Sequence, residues 1–227
     1  MRPVVVSIGG SILGDAAARV EPPQELAECL KGCARSTRLL VTTGGGPLAR
    51  RFIEDGRARG LPERRLDRIG ILVTRWNAQL LLLALGQVAN HVAPETVPGA
   101  MRLSRRHRIV VMGGTAPGWT TDTVAARLAV AAKASHLVNA TSVDGVYDSD
   151  PRKNRRARRF DALTYAELAR LVGTRHTKAG PNIVFDPRAA RIVARHRIPV
   201  HVVDGRDLKS LRAAILGKPF HGTRVGP

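Results

Sequence analysis

Short apolar runs alternate along this chain with longer segments in which apolar residues recur every three or four positions. The runs are rich in valine, isoleucine and leucine and predict strands at residues 3–8, 39–42, 109–112, 137–140 and 200–203. The longer segments predict helices at about residues 23–35, 64–85, 120–134, 187–196 and 208–216, with a further helical stretch from Pro47. Strands that alternate with helices are typical of a mostly parallel sheet with helices on both faces. The pattern therefore predicts an α/β fold.

Weaker local signals complete the predicted order of elements. A short strand is expected at residues 91–93 and an edge strand at residues 223–225. Residues 164–167 have the spacing of a capping box, and Asp186 followed by a proline predicts the start of another helix. The basic run at residues 152–159 marks the expected boundary between two lobes.

The longest predicted helix, residues 64–85, is apolar on nearly every face in its C-terminal half. Such a helix is buried on several sides, either by the core of its own chain or by a second subunit. Burial in the core is the simpler explanation, and a homo-oligomer interface is the alternative.

Three predicted strands end in a glycine pair that leads toward a helix. Residues 8–11 are I-G-G-S, residues 43–46 are T-G-G-G, and residues 112–115 are M-G-G-T. Glycine lets the backbone approach a ligand closely, and the free N–H groups at a helix start bind phosphate oxygens. One such pair is weak evidence, but three at equivalent places suggest two anionic groups held face to face. The chain lacks G-x-x-x-x-G-K-[S/T] and G-x-G-x-x-G, which argues against a Walker-type phosphate loop and a dinucleotide fold.

A fourth strand runs into a turn that is rich in carboxylates. Asp144, Asp148 and Asp150 follow residues 137–140 closely and could bind Mg²⁺, orient a lysine or cap the turn. Turn chemistry is the more economical explanation for any one of them. Together with the glycine turns, these aspartates favour phosphoryl transfer between two phosphate-bearing ligands. For that reaction a protein mainly has to position the ligands and neutralise their charge. Backbone amides, Arg50 just past the second turn, and Mg²⁺ could supply both.

The charge of the chain is strongly basic, with 37 Lys and Arg against 18 Asp and Glu and a formal net charge of +19. A basic chain can bind nucleic acid or an anionic small substrate, or can reflect an arginine-rich composition. The charge is spread over most of the chain, and the dense run at residues 152–159 has no interleaved aromatic residue. We therefore expect no nucleic-acid partner.

Nothing in the sequence predicts an oxidising compartment or a membrane. The two cysteines, Cys29 and Cys33, lie four residues apart on a predicted helix without a nearby histidine, so a metal site is not expected. No apolar run reaches the ~20 residues of a membrane span, and the chain enters a strand at once. A cytoplasmic protein is expected.

Five segments together resemble the amino-acid kinase superfamily, and within it the archaeal-type uridylate (UMP) kinases. The segments are I-G-G-S, T-G-G-G-P-L-A-R, I-G-I-L-V-T-R-W-N-A, M-G-G-T-A-P-G-W-T-T-D-T-V-A-A and A-T-S-V-D-G-V-Y-D-S-D-P-R-K-N. The resemblance covers essentially the whole chain. It implies an αβα sandwich forming a single domain over residues 1–227, with an acceptor lobe at roughly 1–135 and an ATP lobe at roughly 136–227. The implied activity is transfer of the γ-phosphate of Mg-ATP to UMP, giving UDP for pyrimidine nucleotide biosynthesis, by a hexamer built as a trimer of dimers.

The same resemblance assigns residues to two nucleotide sites. The ATP site would comprise Gly9, Gly10, Ser11, Gly46, Arg50, Thr141, Tyr147 and Asp150. The UMP site would comprise Gly45, Asp67, Gly114, Thr115, Ala116, Pro117, Gly118, Trp119, Thr120 and Thr121. The implied catalytic residues are Arg50, Asp144 and Lys178. Asp67 would hold the ribose hydroxyls, and Mg²⁺ would be carried with ATP rather than by a dedicated set of protein ligands.

Two positions depart from the expected pattern. Ser7 stands where many members of the superfamily carry a lysine that neutralises the transferred phosphoryl group, and the archaeal-type uridylate kinases often lack that lysine. Lys178 is the candidate to replace its charge. Trp119 stands where a smaller residue or a histidine is expected, which bears on acceptor specificity.

Three other functions remain as hypotheses. Another small-acceptor kinase of the superfamily, such as an isopentenyl phosphate kinase, would bring a lysine near the first turn, and Ser7 argues against it. A storage protein that binds nucleotide or oxyanion without catalysis is opposed by the presence of Asp144 and Arg50. A nucleic-acid-binding protein is supported by the charge alone.

Overall fold

The computed structural model describes residues 2–13, 23–151, 153–173 and 185–227. The strands in these ranges are β1 (Val4–Ile8), β2 (Leu39–Thr43), β3 (Ile109–Met112), β4 (Leu137–Thr141), β5 (Val146–Tyr147), β6 (Arg159–Phe160), β7 (Ala162–Thr164), β8 (Val200–Asp204) and β9 (Thr223–Gly226). The α-helices are α1 (Gln24–Ala34), α2 (Gly46–Ala58), α3 (Glu63–Leu85), α4 (Val97–Leu103), α5 (Thr121–Ala132), α6 (Tyr165–Val172), α7 (Pro187–Arg195) and α8 (Leu208–Ile215). The five strands predicted from apolar runs match β1, β2, β3, β4 and β8 to within one residue at each end.

The central sheet has seven strands in the order β3-β2-β1-β4-β8-β9-β7. The first five are parallel, whereas β9 runs antiparallel to β8 and parallel to β7. A separate antiparallel pair is formed by β5 and β6. The carboxyl ends of the five parallel strands therefore lie along one edge of the sheet, which is where open α/β sheets bind ligands.

Alternate side chains of the central strands enter two different cores. In β1, Val4, Val6 and Ile8 pack with α1, α3 and α8 on one face, and Val5 packs with α5 and α7 on the other. Because both faces are covered, the strands read as continuous apolar runs. The predicted αβα sandwich with a mostly parallel sheet is confirmed.

The short strand predicted at residues 91–93 is wrong. Ala89 forms only an isolated bridge to Ile109. The amide nitrogen of the Asn90 side chain donates to the Val111 carbonyl at 3.0 Å, and its Oδ1 accepts from the Val111 N–H at 2.7 Å. One side chain thus takes both backbone groups of Val111 that a further strand would pair with, and the sheet ends at β3.

The strand predicted at residues 223–225 is confirmed, but its predicted place at the edge of the sheet is wrong. The strand exists as β9, but it lies inside the sheet between β8 and β7. The edge strand is β7, which spans three residues with only Leu163 buried. Three residues are too few to show a strand period in the sequence, so this edge was not predicted.

Both predicted helix starts are confirmed. The Thr164 hydroxyl accepts from the Glu167 N–H at 3.2 Å, and the Glu167 carboxylate accepts from the Thr164 N–H at 2.8 Å, which completes the capping box of α6. Asp186 caps α7 by accepting from the Arg188 N–H at 2.6 Å.

The long helix α3 is built into the interior of the fold for much of its length. Among the described residues, the stretch 63–88 is the one helix long and apolar enough to cross a membrane by length and composition alone, and half of its most apolar window is buried in the protein. Leu81 and Leu85 belong to the core beneath β1 and β2, whereas Leu72, Trp76 and Leu83 are exposed. The core explanation for its apolar C-terminal half is therefore confirmed for the inward face.

The first two glycine turns touch each other backbone to backbone. A Cβ atom on Gly10 would lie 2.1 Å from the Gly46 nitrogen, and one on Gly46 would lie 2.5 Å from the Gly10 carbonyl carbon. Gly46 also has a φ of +63°, which glycine adopts at the least cost. The end of β1 and the start of α2 can therefore meet only where both residues lack a side chain.

We expect Gly10→Ala to destabilise the fold by about 1–3 kcal/mol or more, because the new methyl group meets fixed backbone and not a movable side chain. Gly32→Ala is the matched control. A Cβ atom on Gly32 has no neighbour within 4 Å, and Gly32 lies inside α1. That change should raise the free energy of unfolding by about 0.5–1 kcal/mol. Urea denaturation followed by circular dichroism would measure both, and equal stability of the two variants would contradict the contact.

Candidate active site

A cleft of about 270 Å³ opens at the carboxyl edge of the sheet, between α2, α3 and the loop that joins β3 to α5. Of the residues assigned to UMP by resemblance, it is lined by Gly45, Asp67, Gly114, Ala116, Gly118, Trp119, Thr120 and Thr121. Thr115 and Pro117 belong to the same loop but do not line the cleft. Gly46 and Arg50, assigned to ATP, lie in its wall at the start of α2. Three distant segments of the sequence thus meet at one place.

Helix α3 holds the second and third glycine turns in position. The Thr74 hydroxyl accepts from the Gly114 N–H at 2.6 Å, and the Asn77 side chain donates to the Gly44 carbonyl at 2.7 Å. The Thr43 hydroxyl donates to the Thr74 carbonyl at 2.8 Å. A Cβ atom on Gly113 would lie 2.7 Å from the Arg75 nitrogen. Packing against α3 therefore requires glycine at position 113. The sequence interpretation had attributed the glycines of this turn to the close approach of a ligand.

Sequence reasoning missed several residues of α3 that line the cleft. Gly70, Ile71 and Thr74 face it, together with Ala49 and Ile53 of α2. For the three residues of α3, the signal was in the run I-G-I-L-V-T at residues 69–74, in which a glycine and a threonine interrupt apolar positions. Gly70 has only the Ile53 side chain near the position of a Cβ atom, at 3.4 Å, so that part of the wall is open.

Asp67 lies at the start of α3, exposed, with one side toward the cleft. Its Oδ2 accepts a hydrogen bond from the Gly118 N–H at 2.8 Å. The Gly118 carbonyl in turn accepts from Arg188 at 3.1 Å. The loop that closes the cleft is therefore held from both sides. No described residue bonds to the other carboxylate oxygen of Asp67.

Trp119 closes the cleft on the side of α5. The guanidinium of Arg127 lies over its ring, 4.1 Å from the ring centroid. Such a stack fixes an aromatic side chain by attraction between the cation and the π face. The ring is half-buried against the core formed by α5 and α7. The side chain that departs from the expected pattern thus forms a defined wall of the cleft.

A network of hydroxyl and carboxylate groups lies beneath the cleft. The Thr120 hydroxyl donates to Asp186 Oδ2 through a short contact, and the Thr123 hydroxyl donates to the same oxygen at 2.7 Å. Asp122 accepts from the Ser7 hydroxyl at 3.1 Å and from the Asp186 N–H at 3.4 Å. Asp186 therefore caps α7 and also joins α7 to the start of α5. Ser7, one of the two departures from the superfamily pattern noted in the sequence, is a hydrogen-bond donor inside this network.

The residues assigned to the ATP phosphates lie at the ends of β1 and β4. The Gly9 N–H donates to the Ala140 carbonyl at 2.8 Å, and Gly10 lies against Gly46 at the rim of the cleft. Thr141, the last residue of β4, pairs with Asp204 of β8. The two assigned sites are therefore neighbours along one edge of the sheet and meet at the contact between the first two glycine turns.

Asp144 is held by three partners. Its Oδ1 accepts from the Tyr147 hydroxyl at 2.7 Å, and its Oδ2 accepts from Arg159 at 3.1 Å and from His221 at 2.9 Å. Burial raises the pKa of Asp144, but the hydrogen bonds from Tyr147 and His221 and the charge of Arg159 outweigh burial and leave it below its usual value. The bond to Asp144, followed by burial, raises the pKa of Tyr147. Asp144 is thus ionised at neutral pH, with both oxygens engaged.

A second carboxylate near Asp144 was not predicted. Asp204 ends β8 and pairs with Arg206 at 2.6 Å, and Arg206 also donates to the Ser142 carbonyl at 3.0 Å. Burial raises the pKa of Asp204. The hydrogen bonds and the charge of Arg206 lower it by more than burial raises it, so the pKa lies below its usual value. The sequence signal was the group D-G-R-D directly after a strand. Arg159 and His221 gave no signal, because only the fold brings them to Asp144.

Asp150 lies in the turn after β5, where its carbonyl accepts from the N–H groups of Lys153 and Asn154 at 3.0 and 2.8 Å. Lys178 lies outside the described residues. Within the described ranges, no group of three or more histidine, cysteine and acidic side chains could hold a metal ion.

The model of the Amino acid kinase family matches residues 2–204 of this chain. The chain belongs to the amino acid kinase family. The uridylate kinase of Thermoplasma volcanium is 44% identical over 222 residues, which cover 98% of this chain and 96% of that protein. The uridylate kinase of Methanothrix thermoacetophila is 45% identical over 98% of both chains.

Solved structures agree with this assignment of the amino acid kinase. The crystal structure of uridylate kinase from Archaeoglobus fulgidus covers 100% of both chains with a TM-score of 0.87 at 38% identity. The UMP kinase of Bacillus anthracis has a TM-score of 0.80 at 21% identity over 99% of this chain and 96% of that one, which shows the shared fold.

We expect Thr74→Val to lower the stability of this amino acid kinase by about 1–3 kcal/mol, because it leaves the buried Gly114 N–H without an acceptor. Valine keeps the shape of the side chain, so the hydroxyl is the main difference. Thr74→Ser is the control, since it keeps the oxygen and should retain most of the stability. Chemical denaturation measures both, and equal losses in the two variants would show that the methyl group and not the hydroxyl matters.

Proposed function

We infer that this protein is a uridylate kinase, an enzyme that transfers the γ-phosphate of ATP to UMP and gives UDP. The observation that carries the inference is the cleft, where α2, α3 and the loop before α5 bring nearly all the assigned UMP residues together beside the first glycine turn. The uridylate kinases of two archaea, aligned over nearly the full length, support the same activity. No observation favours an isopentenyl phosphate kinase or a storage protein.

The start of α2 suits a phosphate group. The N-cap residue is Gly45, which has no side chain to bond to the first N–H groups of the helix. These groups therefore remain available to an anion. Arg50 lies in the cleft wall one turn further along the helix. We assign the UMP phosphate to this end of the cleft, with Arg50 placed to neutralise charge on the transferred phosphoryl group. In-line transfer then needs ATP on the side of the first glycine turn.

We assign Mg-ATP to the ends of β1 and β4, with its phosphates against Gly9, Gly10 and Ser11. Mg²⁺ keeps several waters and binds mainly through substrate phosphates and one or two carboxylates in such sites. Because both oxygens of Asp144 are occupied, we assign it a positioning role: it orders Tyr147, Arg159 and His221 at the rim of the ATP site.

The acceptor lobe then corresponds to residues 1–135 and the ATP lobe to residues 136–227. An enzyme using UMP and ATP belongs in the cytoplasm, in pyrimidine nucleotide synthesis.

The direct test is a coupled assay of ADP release with Mg-ATP and a panel of acceptors. The panel comprises UMP, dUMP, CMP, isopentenyl phosphate, acetylglutamate and carbamate. We expect turnover with UMP far above that with the acceptors that are not nucleotides. Turnover with another member of the panel instead of UMP would move the acceptor assignment, and ATP binding without turnover would favour a storage protein.

We expect Asp67→Asn to raise the KM for UMP by about tenfold or more while leaving the KM for ATP within about twofold, since it weakens a charge-assisted hydrogen bond to the ribose. Asparagine can still accept from the Gly118 N–H, so the loop should keep its position. Asp55→Asn, an exposed acid on α2 outside the cleft, is the control. A similar rise in the KM for UMP and the KM for ATP would contradict the assignment of Asp67 to the ribose of UMP.

We expect Arg50→Ala to lower kcat by about 10²-fold or more, as removal of one positioned donor does at other sites of developing charge. Arg51→Ala is the matched control, because Arg51 is the next residue, is exposed, and does not line the cleft. Steady-state rates at saturating Mg-ATP and UMP measure the change. Unchanged turnover of Arg50→Ala would remove Arg50 from the catalytic machinery.

We propose that a second copy of the chain covers the outer face of α3, as the first contact of a homo-oligomer. Leu72, Trp76 and Leu83 are 64%, 51% and 63% exposed. At 100° per residue, they fall within about 40° of one another around the helix. An apolar stripe of this kind marks a protein interface more often than a free surface. A trimer of such dimers would give the hexamer.

We expect the unaltered protein to be an even-numbered oligomer by multi-angle light scattering. Leu72→Glu combined with Leu83→Glu should shift it to smaller species, because two charges would be buried at the contact. Leu171→Glu is the control, since Leu171 is exposed on another helix, α6. A monomeric unaltered protein would contradict the proposed contact.

A further inference from the structure

The cleft is small, and most of its walls belong to packed elements. Its volume is about 270 Å³, whereas small-molecule sites typically have roughly 300–1,000 Å³. Gly45 and Gly114 present only backbone to it, and Ile71 and Thr74 are held in the long helix α3. Trp119 is the one aromatic side chain among the described residues that line the cleft. The size of acceptor that fits therefore depends strongly on the position of the Trp119 ring.

A larger cavity, of about 700 Å³, lies behind this ring, between α4, α5 and α7. Arg127 and Arg188 line the cavity, whereas Gly118 and Trp119 line the cleft. The guanidinium of Arg127 lies 4.1 Å from the centroid of the Trp119 ring, and Arg188 donates to the Gly118 carbonyl at 3.1 Å. Gly118 and Trp119 therefore form a partition between the two hollows, and the two arginines support it from the far side.

Arg127 is well placed to hold the ring. It lies six residues into α5, about 9 Å along the helix axis, and side chains of a helix tilt back toward its N-terminus. Trp119 immediately precedes that end of the helix. Within the described ranges, no carboxylate pairs with Arg127 and draws its guanidinium away from the ring. One face of the ring is thus covered by a cation, and a ligand in the cleft can meet only the other face or the edge.

The base of a nucleotide acceptor has either one ring or two fused rings. A flat indole suits either kind, since aromatic side chains stack on any base. The available volume discriminates between them, because the second ring of a purine needs space that a cleft of this size lacks. Trp119 is the wall that stands in front of further space, the cavity on the far side of the partition. The position of this one side chain therefore decides whether that space is open to the acceptor.

We propose that Trp119, held in place by Arg127, limits the acceptor to a nucleotide with a single-ring base. Trp119 contacts the base, and Arg127 is a positioning residue that acts through the Trp119 ring. The proposal rests on the proposed function, because it concerns the acceptor of that reaction.

The test is the acceptor preference of Trp119→Ala, which opens the partition. We expect the ratio of kcat/KM for AMP to kcat/KM for UMP to rise by about tenfold or more, a discrimination that small differences in size produce in a pocket. Trp119→Phe is the control, because it keeps an aromatic wall and should change the ratio by less than about threefold. A coupled assay of ADP release at saturating Mg-ATP measures both variants.

CMP separates size from loosened recognition, since its base has a single ring like that of UMP. The ratio for CMP to UMP should change far less than the ratio for AMP to UMP. An AMP-to-UMP ratio that Trp119→Ala leaves unchanged would overturn the proposal. An equal rise for CMP and AMP would overturn it as well.

Arg127 has its own variants. We expect Arg127→Ala to raise the AMP-to-UMP ratio less than Trp119→Ala does, and Arg127→Lys to restore most of the preference for UMP, because an ammonium group also binds the face of an indole ring. Arg105→Ala is the matched control, at an exposed arginine that lines neither the cleft nor the cavity. An unchanged ratio in Arg127→Ala, or no recovery with lysine, would overturn the role of Arg127.

Fluorescence tests the contact without turnover. The chain has two tryptophans, so Trp76→Phe leaves Trp119 as the single one and keeps an apolar ring on α3. With a non-hydrolysable ATP analogue at saturation, UMP should change the emission of Trp119 in a saturable way, with AMP binding about tenfold more weakly or less. Emission that stays constant while calorimetry detects UMP binding would overturn the contact. If UMP is neither bound nor turned over, the proposed function itself fails. If UMP is turned over and the ratios stay unchanged, only the present proposal fails.

Discussion

The contact between Gly10 and Gly46 is the constraint on which the site depends. At this point the end of β1 and the start of α2 approach so closely that neither residue has room for a Cβ atom. The contact brings the turn assigned to the ATP phosphates against the helix start assigned to the UMP phosphate. In-line phosphoryl transfer needs two phosphate groups within bonding reach of each other. The closeness of the two turns thus brings the two proposed nucleotide sites side by side.

Helix α3 fixes the rest of this arrangement. Its inner face packs under the sheet, while Thr74 and Asn77 hold the second and third glycine turns by hydrogen bonds. Near its N-terminus, Asp67 bonds to the loop that closes the cleft, and its outer face carries the apolar stripe proposed to contact a second copy. One helix therefore connects the core, the proposed acceptor cleft and the proposed subunit contact. A shift of α3 would therefore alter the core, the cleft and the subunit contact together.

The acidic groups around the site are held by hydrogen bonds rather than left free. Asp186 caps a helix and accepts hydrogen bonds from two threonine hydroxyls. Asp144 accepts hydrogen bonds from a tyrosine, an arginine and a histidine. A carboxylate fixed in this way orders its neighbours, which is what positioning two charged substrates requires. Positive charge at the cleft comes from Arg50 in its wall and from Arg188, which bonds to the loop that closes it. The arrangement concentrates the electrostatic attraction where phosphate groups would lie.

Local patterns in the sequence determined the strands of the parallel sheet, the αβα class, the capping box at Thr164 and the cap at Asp186. These features depend on residues within a few positions of one another, so periodicity and turn chemistry encode them directly. The resemblance to a known family, carried by motifs of consecutive residues such as the glycine turns and the T-T-D segment, also named most of the residues that the cleft gathers. Only the tertiary structure decided that β9 lies inside the sheet, that Asn90 ends it at β3, and that Arg159 and His221 hold Asp144. It also decided that Gly113 serves packing on α3 and that Arg127 of α5 lies over the Trp119 ring. Each of these outcomes depends on contacts between residues far apart in the chain, and such contacts leave no periodic or local trace in the sequence.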